Sequence, residues 1–486
     1  MNPYLARAGH ITRRQFLKNC QLGLGGLALG ELLGAETTHA SEEGNGPAGT
    51  ADRRPNHSPR AKNVIYVHLA GGPPQHELFD YKPKLNELNS QPCPDDLVNG
   101  QTFAFIKGHP SLLGSPYKFA RHGRSGVWVS ELLPNISEIV DDIAIVKSMR
   151  TDQFNHGPAQ LLLYTGSPRF GGASIGAWIT YGLGSASRDL PSFVVLTTGG
   201  SDPSGGNGLW GSGYLPTIYQ GVQCRVGTDP IFYVSDPPGL DRAARRRSLD
   251  ALRELNDLEF QQFGDPETLT RIHQYELAYR MQIAVPEVMD ISEEPASVRE
   301  LYGADPGATS FANNCLLARR LVERGVRYVQ LFDWGWDVHG SAMSDDLLHQ
   351  LPEKCKQTDR PVAALIKDLK QRGLLDETLV IWGGEFGRTS MNEARGGSKF
   401  LGRDHHPHCF TMWMAGGGIQ GGVEYGETDE LGYFVVRDPV NVKDLHATIL
   451  HLLGLNPYEL QFSYQGLGER LIGPTDEAEV RHELLA

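Results

Sequence analysis

The chain is short of cysteine and has no Cys-x-x-Cys pair: its 486 residues hold only six, widely spaced. They are Cys20, Cys93, Cys224, Cys315, Cys355 and Cys409. Such spacing excludes a disulfide framework and a structural cysteine–zinc site, and leaves room for one or two bridges. Net positive charge is missing too, since the formal balance is −13. Residues 1–40 carry four Lys/Arg and two Glu, a net of +2, so the remainder stands at −13 − 2 = −15. That excludes nucleic acid and anionic membrane surfaces as general partners, while leaving a local cationic pocket open. No apolar run is long enough to read as a confident transmembrane span, and no internal repeat is present. What remains is ordinary globular composition, 40% hydrophobic and 21% charged, on a chain long enough to bury a large core.

The N-terminus carries Thr12-Arg13-Arg14-Gln15-Phe16-Leu17-Lys18, a twin-arginine signal pattern. A Gly-rich apolar segment, 22–33, follows, and Thr37-Thr38-His39-Ala40 offers a small-residue cleavage site. Residues 1–40 are therefore expected to be a signal that directs export to the periplasm or cell exterior, and Cys20 leaves with it. The twin-arginine route carries proteins already folded, often with the cofactor in place. Residues 41–62, rich in Gly, Pro, Ser and charge, read as a disordered linker. A single α/β domain is expected over 63–475, with a short tail over 476–486.

Apolar runs at 63–69, 142–149, 192–196, 326–331, 378–382 and 411–414 read as strands. Helical patterns lie between them, at 158–166, about 240–290, 311–324, 346–372 with interruptions near Pro352 and Pro361, and 444–455. The basic run Arg242, Arg245, Arg246 and Arg247 reads as a solvated helix face. Alternating strands and helices predict a mostly parallel central sheet with helices on both faces.

Polar residues collect where these strands end, which is where open α/β sheets bind ligands. After 378–382 come Glu385, Arg388 and the run Arg403-Asp404-His405-His406-Pro407-His408. After 326–331 come Asp337 and His339, and after 63–69 come His76 and Asp80. Histidine with carboxylate suits zinc or manganese, with iron and calcium as further choices. Asn155 and His156 precede Pro158, a residue suited to a first helical turn, so both fall at a helix N-terminus that favours an anion.

The chain resembles the bacterial sulfatase-like family called domain of unknown function 1501, which is placed in the alkaline phosphatase superfamily and is abundant in planctomycetes. The resemblance rests on the twin-arginine leader, Ala70-Gly71-Gly72 with Asp80-Tyr81-Lys82-Pro83, and Asn155-His156-Gly157-Pro158 through Thr165-Gly166. It continues in Trp336-Asp337-Val338-His339, Gly384-Glu385-Phe386-Gly387-Arg388-Thr389, Gly402-Arg403-Asp404-His405-His406, Asp444-Leu445-His446-Ala447-Thr448 and Tyr464-Gln465-Gly466. It implies a metal site at the carboxyl end of a parallel sheet and a nucleophile at a helix N-terminus. In the sulfatase layout His156 stands where Cys or Ser would, and Gln160 where an Arg would. Ala70-Gly71-Gly72 replaces the usual Asp pair. The formylglycine precursor is thus absent.

Together these features lead to the expectation of an exported metal-dependent hydrolase of phosphate or sulfate esters, with an anionic ester or sulfated glycan as substrate. Asp337, His339, Glu385, His405 and His406 form the expected ligand set, with His76 and Asp80 behind them. Arg388 or Arg403 would hold the anion bidentately. His156 would act as general acid or base, or carry the group covalently. The rival is a non-catalytic module that binds a glycan or a cell-surface partner, including the cytochrome-like proteins often encoded beside relatives.

Overall fold

The computed structural model describes residues 55–224, 241–264 and 266–486. The expected signal, with its twin arginines, lies outside the described residues. The described chain forms two units, one within 233–282 and one made of the rest.

The larger unit is built on a sheet whose strands are β1 (Asn63–Ala70), β2 (Ile143–Arg150), β3 (Phe193–Thr198), β4 (Val222–Cys224), β5 (Tyr328–Trp334), β6 (Thr378–Gly383), β7 (Phe410–Ala415) and β8 (Val423–Tyr425). Their spatial order is β8-β2-β7-β6-β1-β5-β3-β4, and Val440–Asn441 adds a ninth short strand beside β2. β1 lies at the centre, parallel to β5 on one side and β6 on the other. It is buried from Val64 onward, which explains a run that is apolar except for His68: a central parallel strand has no solvent face.

The sheet is mostly parallel, as expected, with one antiparallel strand. β7 runs antiparallel to both β6 and β2. A parallel return needs a crossover, usually a helix. The connection 384–409 holds only two-residue strands and one short 3₁₀ turn, so the chain simply doubles back.

Helices cover both faces. α1 (His156–Thr165) and α6 (Val442–Leu452) pack on one, around Val64, Tyr66, Val195, Ile381 and Met412. On the other, α4 (Phe311–Glu323) packs against β5 and α5 (Gln350–Gln371) packs against α4. α1 begins after Asn155, whose backbone is extended, and ends on Gly166 at φ +72°. α6 starts with a capping box between Asn441 and Asp444. α5 corrects the sequence reading, because it runs unbroken through Pro352 and Pro361. Pro352 sits in the first turn, where its missing N–H costs nothing. Pro361 is fully inside, and burial of Leu351, Cys355, Val362, Leu365 and Leu369 along one face outweighs its lost bond.

Residues 55–62, the end of the stretch expected as linker, are bonded into the fold. Asn56 and His57 donate backbone N–H groups to Gly454, Arg60 and Ala61 to Leu452, and Lys62 to Glu377. In the smaller unit, α2 (Arg242–Phe263) and the first part of α3 (Pro266–Met289) run as helices, as expected for 240–290. Arg246 pairs with Asp250 and Glu276 there, and Arg242 lies over the Tyr279 ring. The five described cysteines are buried and free. No helix among the described residues is long and apolar enough to cross a membrane.

Candidate metal centre

The carboxyl ends of β1, β5 and β6, the turn into β7 and the N-terminus of α1 meet at one edge of the sheet. There His156, Asp337, His339 and His405 each offer one ligand atom, all within 4.8 Å of one another. Asp337 is the hub. Its Oδ1 lies 2.8 Å from His339 Nε2 and 3.3 Å from His405 Nε2, and its Oδ2 lies 3.4 Å from His156 Nε2. Zinc ligands at 2.0–2.1 Å in a tetrahedron stand roughly 3.3 Å apart, so these separations fit.

The outward nitrogens decide the chemistry. His156 Nδ1 is 2.6 Å from Glu385 Oε1, His339 Nδ1 is 2.5 Å from Glu393 Oε2, and His405 Nδ1 is 2.7 Å from the Phe154 carbonyl oxygen. Each partner accepts only, so each Nδ1 carries the proton and donates it. Three Nε2 lone pairs then face a carboxylate. Such an arrangement is repulsive until a cation enters, either a proton or a metal. His156 Nε2 is buried and has no hydrogen-bond partner.

The charges follow from these contacts. Burial opposes ionisation of Asp337, yet the Arg388 guanidinium and the three imidazoles hold its carboxyl far below the usual range. Burial likewise opposes Glu385, and His156 and His68 keep it ionised. His405 is pushed down to about 4 by burial, against the pull of Asp337, so its inner lone pair stays free at neutral pH. His156 is pushed up to about 9: burial works against its charge, but the Asp337 and Glu385 carboxylates beside it win. A helix N-terminus by itself acts the other way and disfavours the imidazolium. Two carboxylates in contact outweigh the partial charge of a helix end.

The expected roles are therefore redistributed. Glu385, expected as a ligand, stands behind His156 and is also bonded by Gln160 Nε2 and the Gly71 N–H. His156, expected to manage protons, belongs to the donor set. His406 points away: His405 and His406 form a two-residue strand, where neighbours face opposite sides, and His406 Nε2 meets the Tyr433 carbonyl at 2.6 Å. Burial pushes His406 down to about 3. His76 bonds the Leu431 carbonyl and the Ser390 hydroxyl, outside the cluster. Asp80 accepts from Thr428 and pairs with Lys82, so it too is spent on packing.

Neither expected anion clamp is open. Arg388 is fully buried and donates to Gly71 O, Gly72 O, Arg403 O and Asp337. Arg403 is fully buried against Glu77, with further bonds to Thr389 O and Leu113 O. Two residues were missed by sequence reasoning. His68, inside β1, places Nε2 3.3 Å from Glu385 Oε2, in ion-pair range but not aligned as a hydrogen bond. A histidine amid Val64-Ile65-Tyr66-Val67 was the available signal. Glu393, which orients His339, carried no signal of its own.

Two glycines let the loops close. A Cβ on Gly71, at φ +123°, would meet the Asp337 nitrogen at 2.4 Å. A Cβ on Gly402 would meet the His339 carbonyl carbon at 1.9 Å. Beside the donors opens a cleft of about 570 Å³, lined by Trp334, Asp337, His339, Gln350, Lys354 and Arg395 among others.

The family model described as protein of unknown function (DUF1501) matches residues 61–485. The chain belongs to this family. Every donor and every outer partner of this DUF1501 site falls inside the matched span. No curated protein matches the sequence. Similar solved structures include a protein in the alkaline phosphatase superfamily from Vibrio parahaemolyticus, 11% identical, covering 82% of this chain and 68% of that one with a TM-score of 0.38. The PsFucS1 sulfatase from Pseudoalteromonas sp. is 11% identical over 87% of this chain and 74% of its own, with a TM-score of 0.36. Alkaline phosphatase from the Antarctic bacterium TAB5 is 10% identical over 82% and 99%, with a TM-score of 0.31.

Proposed function

We propose that the protein is a metal-dependent hydrolase of phosphate or sulfate esters that acts after export. One observation carries the reading: four potential ligand atoms converge, and three outer partners turn each histidine's Nδ1 away from them. His156, Asp337, His339 and His405 would hold a divalent metal such as zinc or manganese. Such an ion lowers the pKa of water to about 7 and polarises an ester. The chain's own residues orient the donors. Glu385, Glu393 and the Phe154 carbonyl keep each Nδ1 protonated, and Arg388 anchors Asp337 at Oδ1.

This arrangement also argues against covalent catalysis at His156. Its Nδ1 is bonded to Glu385, and its Nε2 is turned to Asp337, where a metal held by the four residues would occupy it. His156→Ala is expected to lower bound metal together with activity. Full metal retention with activity down roughly 10²–10⁴-fold, the scale of acid–base assistance, would return His156 to proton transfer.

A second reading, a binding module without turnover, is favoured by one fact: both arginines at the centre are consumed internally. Elemental analysis of protein purified without chelator, followed by assay of the metal-loaded form on phosphate and sulfate esters, separates the two. Bound metal with turnover is expected. Metal with no turnover of any ester favours the module, and absence of metal sinks the site assignment.

Export rests on Arg13-Arg14 with the apolar segment and cleavage site that follow. Changing both to Lys is expected to leave the protein in the cytoplasm, as read by fractionation; unchanged secretion would remove the twin-arginine route.

A further inference from the structure

Arg388 and Arg403 are tied down, so an anionic substrate needs another cation. We infer that Arg395 is the residue that binds the anionic group of the substrate, an inference that rests on the hydrolase reading above. Arg395 lines the same cleft as Asp337 and His339 and is about a third exposed, 34% by side chain. Lys354, the other cation in that cleft, is already paired with Asp333 Oδ2 at 2.6 Å and is nearly buried. Arg395 differs in how it is held. Its Nε donates to Glu393 Oε1, and its guanidinium lies 3.9 Å from the centroid of the Phe105 ring. Phe105 in turn sits edge-on to His339 and His405, at 5.0 and 5.5 Å between ring centroids. Phe105 is 42% exposed, unusual for a ring bordering a buried cluster.

The Phe105 contact and the Nε bond to Glu393 hold the guanidinium in place without engaging its Nη groups. Nη2 is sheltered and has no hydrogen-bond partner. A sheltered donor is costly unless water or a ligand completes it. A planar guanidinium whose Nη groups have no partner within the protein matches two oxygens of a phosphate or sulfate. The turn that presents it is held in an uncommon shape, since Ala394 sits at φ +47°, in the left-handed region.

Glu393 links this arm to the donors. One oxygen accepts from Arg395 Nε and the other from His339 Nδ1. The anion-binding edge and one metal donor therefore share a single carboxylate, which fixes their relative placement.

The test uses full-length protein, loaded with zinc or manganese, and inorganic phosphate and sulfate as probes, with metal content measured on every sample. Arg395→Gln is expected to keep its metal and to weaken binding of the better probe by roughly 10–100-fold, the scale of a charge-assisted pair. Arg395→Lys is expected to recover part of that loss, because the charge returns without the fork. Wild-type binding by Arg395→Gln at full metal content overturns the proposal. So does metal-loaded wild type that binds neither anion, an outcome that leaves the metal centre standing. Loss of metal from Arg395→Gln and Arg395→Lys alike would overturn it in favour of a purely structural role through Glu393. The hydrolase reading itself fails separately, when wild type takes up no metal.

Discussion

His405→Ala, or Asp337→Ala, is expected to strip most of the metal from the purified protein, with affinity falling by more than about 100-fold. Loss of an outer partner of a ligand costs about 10–100-fold, and these two residues stand in direct contact with the donor cluster. Glu385→Gln and Glu393→Gln, which alter outer partners, are expected in the lower range. His406→Ala is the control, because its ring meets the Tyr433 carbonyl on the far side of the strand. Elemental analysis and competition with a chromophoric chelator give the numbers. Metal retained by His405→Ala, or lost from a folded His406→Ala, would overturn the donor set.

Glu77→Ala is expected to destabilise the larger unit by about 3–5 kcal/mol, since it leaves the Arg403 guanidinium buried without a counter-charge. Arg403 and Glu77 are both fully buried, 2.6 Å apart at closest approach. Burial raises the Glu77 carboxyl while Arg403 pulls it down, so the pair is under electrostatic tension that only mutual contact relieves. Replacing both, as Glu77→Leu with Arg403→Met, is expected to recover part of the loss, the remainder reflecting the Thr389 and Leu113 carbonyls left without a donor. Urea denaturation followed by fluorescence reads this directly. If Glu77→Ala kept wild-type stability and lost anion binding, Arg403 would be a substrate clamp after all.

Much of the architecture was readable because burial leaves a mark on sequence. Central strands such as β1 and β6 are largely apolar, and their ends are announced by Gly-rich turns with polar residues. The direction of β7 left no such mark, because antiparallel and parallel buried strands have the same composition. Pro361 suggested a break that the apolar face of α5 overrides. At the site, Asp337, His339 and His405 could be picked from strand ends. His406, His76 and Asp80 satisfied the same rule and point elsewhere, since the rule fixes where a loop lies and not which way a side chain faces. The exchange of roles between His156 and Glu385 depends on contacts between residues 229 apart in the chain, which no local pattern encodes.

The same distance along the chain governs when the centre can exist. His156 and His405 are 405 − 156 = 249 residues apart. A ribosome adding roughly 5–20 residues per second takes roughly 12–50 s to cover that interval. For most of it β1 has neither neighbour, because β5 and β6 have not been made. His156 meanwhile waits without Asp337 or Glu385. Only when β7 doubles back beside β6 does the turn carrying His405 reach the sheet edge. An ion held at this centre would therefore be taken up only near the end of synthesis or after it, from whatever the surrounding compartment offers then, and not by a half-built site on the nascent chain.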